Sequence, residues 1–573
     1  MTFLHDDPRT FAADALSGFS QAYGRFVRLA PGGVLRAVAA ERKVALVIGG
    51  GSGHYPAFAG YVGKGLADAA IAGDVFASPS TSSIVRLARL AHQGVGILLG
   101  FGNYAGDVLN FGAAARRLVS EGIDVRTLAV TDDVASAPAE TPSLRRGVAG
   151  DVAVFKAAGA AAEAGLDVDE VERLARLANS RTFSFGVAYR GCTLPGAREP
   201  LFVVPAREMA IGLGIHGEPG VSEGPVVSAS ELAHTLVERL LRERPRDASG
   251  RVAVILNGLG GTKYEELFGA WAAIVRQLER NGLTPVGPEV GEFVTSLDMA
   301  GCSLTLTWLD HGLEELWLAP CESGAFRRGQ EVLREAPLPI EDSPAPAAIP
   351  RAAAASQECA QCIERALKRI AESMQDAQSR LGDIDAFAGD GDHGFCMSRG
   401  SDAASKAAAA ALAQGAGAGS VMQFAGDAWA DRAGGASGAL WGVALRAWGD
   451  AFSDAGPVTA EDVVRGARTA LGAVTSLGGA QIGDKTLVDA LQPFVETLAH
   501  EVEAGRSLAE AWRSAADAAS AAAAATAPLI PKRGRARPLA AKSVGHPDPG
   551  AISLALCAQA VGGVLHRPRA EAP

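Results

Sequence analysis

Residues 44–325 alternate short apolar runs with longer stretches of helical periodicity. The runs that predict buried strands are KVALVIGG, VGILLG, RTLAVTDD, LFVVP, RVAVILNGLGG, SLTLTWL and EELWLA. The stretches between them that predict helices are SSIVRLARLAHQ, VLNFGAAARRLVSE, AVFKAAGAAAEAG and ELAHTLVERLLRER. This alternation predicts an α/β fold, in which ligands collect at the carboxyl ends of the strands.

The pattern changes at residues 334–356, where REAPLPIEDSPAPAAIPRAAAAS contains five prolines. Proline disfavours regular helix and favours an extended linker. Beyond it, strand patterns are replaced by alanine-rich segments such as SKAAAAALA and ASAAAAATA, which we interpret as helices because alanine is the best helix former. We therefore predict an α/β domain of two lobes over residues 1–333, a linker over 334–356 and an all-α domain over 357–573.

Composition narrows the classes of partner. A formal net charge of −11 over 573 residues argues against nucleic acid and anionic membranes, both of which favour a basic face. The N-terminus has no basic flank before an apolar core, and no apolar run reaches the length of a membrane span. The seven scattered cysteines fit a reducing compartment, and we interpret Cys359 and Cys362 as structural. We expect a cytoplasmic protein.

A glycine-rich loop, GGGSGH, follows the first strongly predicted strand at residues 49–54. Counted from Gly49 and Gly51, the dinucleotide fingerprint requires a third glycine where His54 stands. The P-loop requires a Gly-Lys-Ser/Thr ending, and no lysine is present there. The loop therefore fits neither common nucleotide motif and ends in an imidazole instead.

Two further loops of the first domain carry candidate chemistry. In GLGIHGEPG, residues 212–220, glycines on both sides leave the ring of His216 open to a ligand. In GNYAGDVLNF, residues 102–111, Asp107 follows a predicted strand, although an aspartate there could also cap a helix. Since His54, Asp107 and His216 all follow strands, we expect them to meet in one pocket.

The second domain contains an acidic loop, GDIDAFAGDGDHG, at residues 382–394. Asp385, Asp390 and Asp392 form a D-x4-D-x-D pattern with glycines between them, and hard carboxylate oxygens suit Mg²⁺. The calcium-binding EF-hand needs a different spacing and a final glutamate. The remaining alternative is a solvated acidic loop.

Other segments of the second domain supply phosphate-binding chemistry. RAGGASGALWG, residues 432–442, offers the amides of Gly434 to Gly438 and the Ser437 hydroxyl at a predicted helix N-terminus. GDKTLVDAL, KSVGHPDPGA and the basic PKRGRARP add further polar residues, each of which could equally cap a helix or form a turn: Asp484, Lys485, Thr486, Asp489, His546, Asp548 and the cluster 532–537. Metal, phosphate cradle and basic side chains are the components of a phosphoryl-transfer site.

Eight motifs in order resemble the dihydroxyacetone kinase family in its single-chain, ATP-dependent form. They are GGGSGH, FASPS, GNYAGD, GIHGEPG, GDGDHG, GGASGALWG, GDKTLVDAL and GHPDPGA. The resemblance covers almost the whole chain and implies an N-terminal ketose-binding α/β domain and a C-terminal helical barrel that binds ATP. It also implies a homodimer.

The resemblance assigns roles to individual residues. His216 would bind the ketone carbon as a hemiaminal, His54 would help to protonate the carbonyl oxygen, and Asp107 would deprotonate the attacking hydroxyl. The implied substrate-binding residues are Gly51, Ser52, Gly53, His54, Tyr104, Asp107 and His216. The implied nucleotide-binding residues are His393, Gly434, Gly435, Ser437, Gly438, Thr486, Arg535 and Asp548. The implied ligands of Mg²⁺ ions that bridge the ATP phosphates are Asp385, Asp390 and Asp392.

One departure concerns the substrate. Most family members have His-Glu-Pro-x-His at the glycine-rich loop, whereas this chain has HYPAF, with Tyr55 and Phe58, and Gly102 where lysine is common. This form resembles the branch that phosphorylates the four-carbon ketose D-erythrulose, and we expect a reshaped pocket mouth. A dihydroxyacetone or glyceraldehyde kinase is the alternative, FAD cyclisation is a possible side activity of the same metal site, and a non-catalytic regulatory binding protein is a third reading.

Overall fold

The computed structural model describes residues 4–38, 42–218, 220–329, 349, 351–387, 389–533 and 540–566. The chain divides into two units, Met1–Leu338 and Pro339–Pro573. Each unit has its own hydrophobic core, because the buried clusters of the first contain no residue beyond 326 and that of the second begins at residue 360.

The first lobe of unit 1 is a six-stranded sheet of order β1-β2-β5-β3-β6-β7. Its strands are β1 (Val27–Ala30), β2 (Gly33–Arg36), β3 (Ala45–Ser52), β5 (Ala69–Val75), β6 (Ile97–Gly102) and β7 (Val125–Val130). Strands β5, β3, β6 and β7 run parallel, and β1 and β2 extend the edge in antiparallel pairs. The run Ala45–Gly50 is buried at every residue, as expected for a parallel strand covered on both faces.

The second lobe is a six-stranded sheet of order β10-β9-β8-β13-β11-β12. Its strands are β8 (Thr182–Arg190), β9 (Glu208–Ile211), β10 (Ser222–Pro225), β11 (Arg251–Gly258), β12 (Thr284–Gly291) and β13 (Ala300–Trp308). Only β11 and β12 pair in parallel among these described strands. A small third sheet joins β4 (Gly63–Lys64), β14 (Cys321–Ser323) and β15 (Arg327–Arg328).

The helices of unit 1 pack on these sheets. They are α1 (Phe11–Ala22), α2 (Thr81–Ala91), α3 (Ala105–Ser120), α4 (Gly150–Glu163), α5 (Val168–Ser180), α6 (Ala229–Leu241), α7 (Tyr264–Arg280) and α8 (His311–Leu318), with 3₁₀ turns at Ala59–Tyr61 and Pro142–Leu144. Helix α4 is buried at every residue from Gly150 to Ala162, because its side chains enter a core that receives residues from both lobes. The predicted α/β class is confirmed.

Two of the predicted strands are wrong. EELWLA lies in α8, where Asp310 caps the helix by accepting a hydrogen bond from the Leu313 amide, and Leu313 and Trp317 bury one helical face. LFVVP, residues 201–205, pairs with no described strand, and Val203 is 75% exposed. Its apolar composition suggested a strand, but the prolines at both ends interrupt ladder hydrogen bonding.

The described part of unit 2 is entirely helical, as predicted. Its helices are α9 (Ala354–Asp376), α10 (Gln378–Asp385), α11 (His393–Ala413), α12 (Ala418–Ala433), α13 (Gly435–Gly449), α14 (Ala460–Gly478), α15 (Val488–Glu503), α16 (Leu508–Ala525), α17 (Ala540–Ser543) and α18 (Pro549–Leu565). Both alanine runs are helical, because small side chains let neighbouring helices approach closely. Residues 334–348 and 350 of the predicted linker lie outside the described residues, and α9 begins at Ala354, inside its predicted end.

The helices of unit 2 surround an apolar cavity of about 250 Å³. Tryptophans supply much of its wall, and Trp429 stacks on Trp441 at a ring-centroid distance of 4.8 Å beside it. Cys359 and Cys362 also line this cavity from α9, and the described cysteines are free thiols. Within the described part of the chain, no helix combines the length and the apolar character that a membrane crossing requires.

Candidate active site

The glycine-rich loop at the end of β3 is shaped by a close neighbour, the Phe76–Ala77 segment. A Cβ at Gly51 would lie 2.9 Å from the Ala77 amide nitrogen, and one at Gly53 would lie 2.9 Å from the Phe76 ring. Gly53 also has a φ of +97°, a conformation that favours glycine. The Ser52 hydroxyl donates to the Gly73 carbonyl at 2.6 Å, so it fixes the loop to β5.

The loop brings His54 against His216, which comes from a turn of the second lobe. The two Nε2 atoms are 2.9 Å apart and the rings meet edge to face. His54 is 3% exposed and its Nδ1–H donates to the Thr295 carbonyl at 2.7 Å. Burial, reinforced by the charge of His216, lowers the pKa of His54 to about 3, so this ring is neutral at physiological pH.

Aromatic side chains enclose the histidine pair. Phe76 stacks on His54 at 5.0 Å, and the rings of Tyr104 and His216 meet at right angles with 4.7 Å between their centroids. The Tyr104 hydroxyl is buried and has no hydrogen-bond partner among the described residues. A polar ligand atom would satisfy it, since a buried hydroxyl without a partner is costly.

Glu218 is a site residue that the sequence analysis did not single out. It accepts hydrogen bonds from the His216 backbone amide at 2.9 Å and from His216 Nδ1–H at 3.2 Å. Burial would raise its pKa, but the hydrogen bond from His216 and the charges of His216 and Arg146 lower it to about 2. The sequence feature that could have identified Glu218 is its position two residues after His216 in the same glycine-rich segment.

Asp107 lies in the first turn of α3, buried to 7% exposure. The capping alternative is wrong, because the N-cap residue is Tyr104 and the Asp107 carboxylate accepts instead from the Ser78 hydroxyl at 2.8 Å. Burial raises the pKa of Asp107 to about 6, while the hydrogen bond from Ser78 and the charge of His216 oppose the shift. A carboxyl with a pKa near neutrality is suited to general-base chemistry.

The raised pKa of Asp107 predicts the acid limb of the pH–rate profile. A base must be ionised to accept a proton, so kcat is expected to rise as pH increases through about 6. Ser78→Ala removes a hydrogen bond that favours the carboxylate, and we expect the limb to move to higher pH by roughly half a unit to one unit. Ser82→Ala, which changes an exposed serine in the first turn of α2, serves as the control and should leave this part of the pH profile in place. If the rise of kcat with pH occurs at the same pH in Ser78→Ala as in the wild type, the group that titrates there is not Asp107.

Asp151 is a second residue that sequence reasoning missed. It is 2% exposed in the first turn of α4, and its Oδ1 atom has no hydrogen-bond partner among the described residues. Burial, then the charges of Asp132 and Asp107, raise its pKa well above the usual range. The sequence feature that could have identified Asp151 is a single acidic residue within the apolar segment GDVAVFKAAGAAA.

The two aromatic residues of the HYPAF segment lie between α1 and the glycine-rich loop. Tyr55 is 48% exposed and contacts Phe19 of α1 at 5.8 Å between ring centroids. The Phe58 ring packs so closely on Gly50 that a Cβ there would lie 2.4 Å from it. Both line a cavity of about 310 Å³ beside α1, together with the predicted substrate-binding residues Gly51, Ser52 and Gly53 but without Asp107 or His216. The expectation that they reshape the ketose pocket mouth stays a prediction.

In unit 2 the acidic loop gathers its three carboxylates. One oxygen each from Asp385, Asp390 and Asp392 lies within 4.8 Å of the other two. Asp385 also accepts the amides of Gly391 at 2.9 Å and His393 at 3.4 Å, so it shapes the loop. An all-carboxylate oxygen set of this spread fits a hard divalent cation such as Mg²⁺.

Two of the predicted nucleotide-binding residues lie near the acidic loop. His393 begins α11 and its Nε2 is 3.0 Å from the Ser553 hydroxyl of α18. Asp548 caps α18 by accepting from the Ala551 amide at 2.7 Å, and burial raises its pKa to about 7, with a contribution from the charge of Asp385. The stacked rings of Phe387 and His546, 3.5 Å apart, join the acidic loop to the segment before α18.

The remaining predicted nucleotide-binding residues are more exposed or have structural partners. Gly434 and Gly435 are exposed at the start of α13 with φ values of +68° and +61°. Ser437 and Gly438 follow in the same first turn, and Gly438 is buried. The Thr486 hydroxyl accepts from the Val488 amide at 3.2 Å, which makes it a turn residue. Arg535 lies outside the described residues.

Comparison with known proteins agrees with the resemblance. The Dak1 domain matches residues 17–325 and the DAK2 domain matches residues 387–562. A D-erythrulose kinase of Mycolicibacterium smegmatis is 53% identical over 568 residues, 98% of each chain. An L-erythrulose kinase of Pectobacterium atrosepticum is 53% identical over 575 residues, 99% of this chain and 97% of that one. The crystal structure of the dihydroxyacetone kinase from C. freundii in complex with AMP-PNP and Mg²⁺ is 29% identical, with a TM-score of 0.58 and coverage of 98% of this chain and 99% of that one.

The chain therefore belongs to the dihydroxyacetone kinase family, and the family prediction is confirmed. Within that family it falls in the erythrulose branch, with relatives at 50–53% identity that are named erythrulose kinases.

Proposed function

We propose that the protein is an ATP-dependent kinase that phosphorylates a terminal hydroxyl of erythrulose. The observation that carries the proposal is the pair His54 and His216, with Nε2 atoms 2.9 Å apart, beside the buried carboxylate of Asp107. Relatives named erythrulose kinases at 53% identity support the four-carbon ketose, while the dihydroxyacetone kinase structure is 29% identical. Dihydroxyacetone or glyceraldehyde is the alternative substrate.

In this proposal His216 Nε2 attacks the ketone carbon, and His54 places a proton on the carbonyl oxygen. The hemiaminal would exclude polyols, which have no carbonyl carbon to bind. Asp107 takes the proton of the terminal hydroxyl that attacks the phosphate, a role that its raised pKa favours. The non-catalytic alternative would require the loss of one of these groups, and all three are present.

The proposed binding of ATP and Mg²⁺ rests on residues of unit 2. Asp385, Asp390 and Asp392 would hold Mg²⁺, which when bound neutralises phosphate charge on ATP. The exposed amides of Gly434 and Gly435 at the start of α13 are suited to phosphate oxygens. The remaining expectations, a cytoplasmic homodimer with the nucleotide-binding residues named above, stay predictions.

The substrate is tested by steady-state kinetics of the pure protein with ATP and Mg²⁺ on D-erythrulose, L-erythrulose and dihydroxyacetone. We expect kcat/KM for the preferred erythrulose to exceed that for dihydroxyacetone by roughly 10- to 100-fold, the range that one added carbon and its hydroxyl supply. D-Erythrulose is the enantiomer we predict, and relatives named for each hand are equally similar to this chain. A preference for dihydroxyacetone would establish the alternative, and turnover of none would refute the kinase assignment.

A further inference from the structure

The hydrogen bonds around the histidine pair determine how many protons it holds. His54 Nδ1 lies 2.7 Å from the Thr295 carbonyl oxygen, which can only accept, so this nitrogen carries a hydrogen. His216 Nδ1 lies 3.2 Å from a carboxylate oxygen of Glu218, and this nitrogen also carries a hydrogen. Both outer nitrogens are therefore donors.

With hydrogens on both Nδ1 atoms, the Nε2 atoms of two neutral rings would repel each other. If both imidazoles were neutral, the two Nε2 atoms would face each other with lone pairs at 2.9 Å. A contact of that length is stabilised only when a hydrogen lies between the two nitrogens. The pair therefore needs one proton more than two neutral imidazoles carry.

We propose that His54 and His216 share a single extra proton between their Nε2 atoms in the ligand-free enzyme, and that Glu218 is the positioning residue that keeps it there. The role of this proton in hemiaminal formation rests on the proposed function, whereas the presence of the proton does not. Glu218 supplies the balancing negative charge and directs His216 Nε2 toward His54.

The surroundings of the pair favour this arrangement. The His216 ring faces the Glu218 carboxylate, whose negative charge balances that of the shared proton. Arg146 holds Glu218 at 3.7 Å and is itself held by Asp133 at 2.8 Å. Because Asp133 already balances the charge of Arg146, the negative charge of Glu218 remains available to the protonated His216 ring.

Other titratable groups face the pair from α3 and from the N-cap residue that precedes it. Asp107 is near enough for its charge to interact with His216, and the Tyr104 ring meets the His216 ring at right angles. Burial raises the pKa of Tyr104 well above its usual range, so its hydroxyl stays neutral. Gly214 permits the whole arrangement, since a Cβ there would lie 2.1 Å from the Glu218 carboxylate and 2.6 Å from Arg146.

The extra proton balances hemiaminal formation without a proton from solvent. As the ketone enters, His216 Nε2 passes its proton to His54 Nε2, and the freed lone pair forms the bond to the carbonyl carbon. The carbonyl π electrons move to oxygen, and His54 returns the proton to that oxygen as a hydroxyl. His54 ends neutral, and the alkylated His216 ring keeps the positive charge beside Glu218.

The first test is NMR of the ligand-free full-length protein with ¹⁵N-labelled histidine at neutral pH. We expect His54 to show hydrogen on Nδ1 and His216 to show hydrogen on both ring nitrogens, with His54→Phe and His216→Phe providing the assignments. Two neutral rings in the wild-type protein, each with one hydrogen, would overturn the proposal.

The second test asks whether Glu218 maintains the proton. In Glu218→Gln the amide oxygen can still accept from Nδ1–H, but the negative charge is gone, so we expect the His216 ring to become neutral. Adduct formation, followed without ATP by the ¹³C signal of erythrulose labelled at the carbonyl carbon, should slow by roughly 100-fold. Glu218→Asp, which keeps the charge, should recover most of that loss, and the exposed Glu223→Gln is the matched control.

These measurements distinguish failure of the covalent step in the proposed function from failure of the shared-proton proposal. If the wild-type ¹³C signal never becomes tetrahedral, the covalent step of the proposed function fails while the proton count from ¹⁵N is unaffected. If adduct formation and the His216 protonation state in Glu218→Gln equal those of the wild type, Glu218 does not hold the proton and the proposal is refuted.

Discussion

Replacing His216 with alanine is expected to lower kcat/KM for erythrulose by on the order of 10⁴-fold. The imidazole is proposed to be both the nucleophile and the carrier of the proton shared with His54, so alanine removes the covalent bond and the acid together. The methyl side chain leaves the backbone turn intact, because the Glu218 carboxylate still accepts from the backbone amide of residue 216. The fold should survive, as judged by an unchanged thermal transition.

Two controls sharpen this prediction. His311→Ala removes a histidine on the surface of α8, 90% exposed, and should leave turnover unchanged. The ¹³C-labelled ketone should give no tetrahedral signal with His216→Ala, even at high substrate concentration. Turnover within tenfold of the wild-type value would show that the ketose is bound without a covalent bond to His216.

Replacing Asp390 and Asp392 together with asparagine is expected to lower kcat by on the order of 10³-fold at saturating ATP, since a metal on the phosphates supplies several kcal/mol. Asp385 is left in place because its carboxylate also accepts the Gly391 and His393 amides. The double variant therefore tests cation binding with the loop framework retained. Residual activity should need a higher Mg²⁺ concentration for half-saturation.

Direct cation binding provides an independent readout of the same change. Mn²⁺ binding to the full-length protein, measured by electron paramagnetic resonance with ATP present, should weaken in the double variant. Asp402→Asn, an exposed carboxylate of α11 paired with Lys406, is the matched control and should bind Mn²⁺ as the wild type does. An unchanged Mg²⁺ dependence in the double variant would mean that these carboxylates form only a solvated loop.

The structure offers two places where substrate selectivity can arise, the cavity lined by Tyr55 and Phe58 and the surroundings of His216. Both aromatic residues line the cavity beside α1 with Gly51, Ser52 and Gly53. The buried polar atoms that have no hydrogen-bond partner among the described residues include Tyr104 Oη, beside His216, and Asp151 Oδ1, whose charge interacts with that of Asp107. Buried atoms without partners are costly and mark positions where ligand hydroxyls can bind.

Much of this protein follows from local sequence. The apolar run before GGGSGH forms β3 and the alanine-rich runs form helices α11 and α16, because periodicity and propensity act over neighbouring residues. The acidic loop could likewise be recognised, since its three carboxylates are close in sequence and its glycines allow it to curl. EELWLA shows the limit, because a short apolar run is compatible with strand or helix until a cap and a buried face decide.

Tertiary structure alone decided how the site works. His54 and His216 are far apart in sequence, and only the packing of the two lobes brings their Nε2 atoms to 2.9 Å. The raised pKa of Asp107 depends on burial, and the shared proton depends on a carbonyl from Thr295 and a carboxylate from Glu218. The sequence by itself determined the residue types and the family, whereas burial and long-range hydrogen bonds, which no local pattern encodes, determined their protonation and their roles.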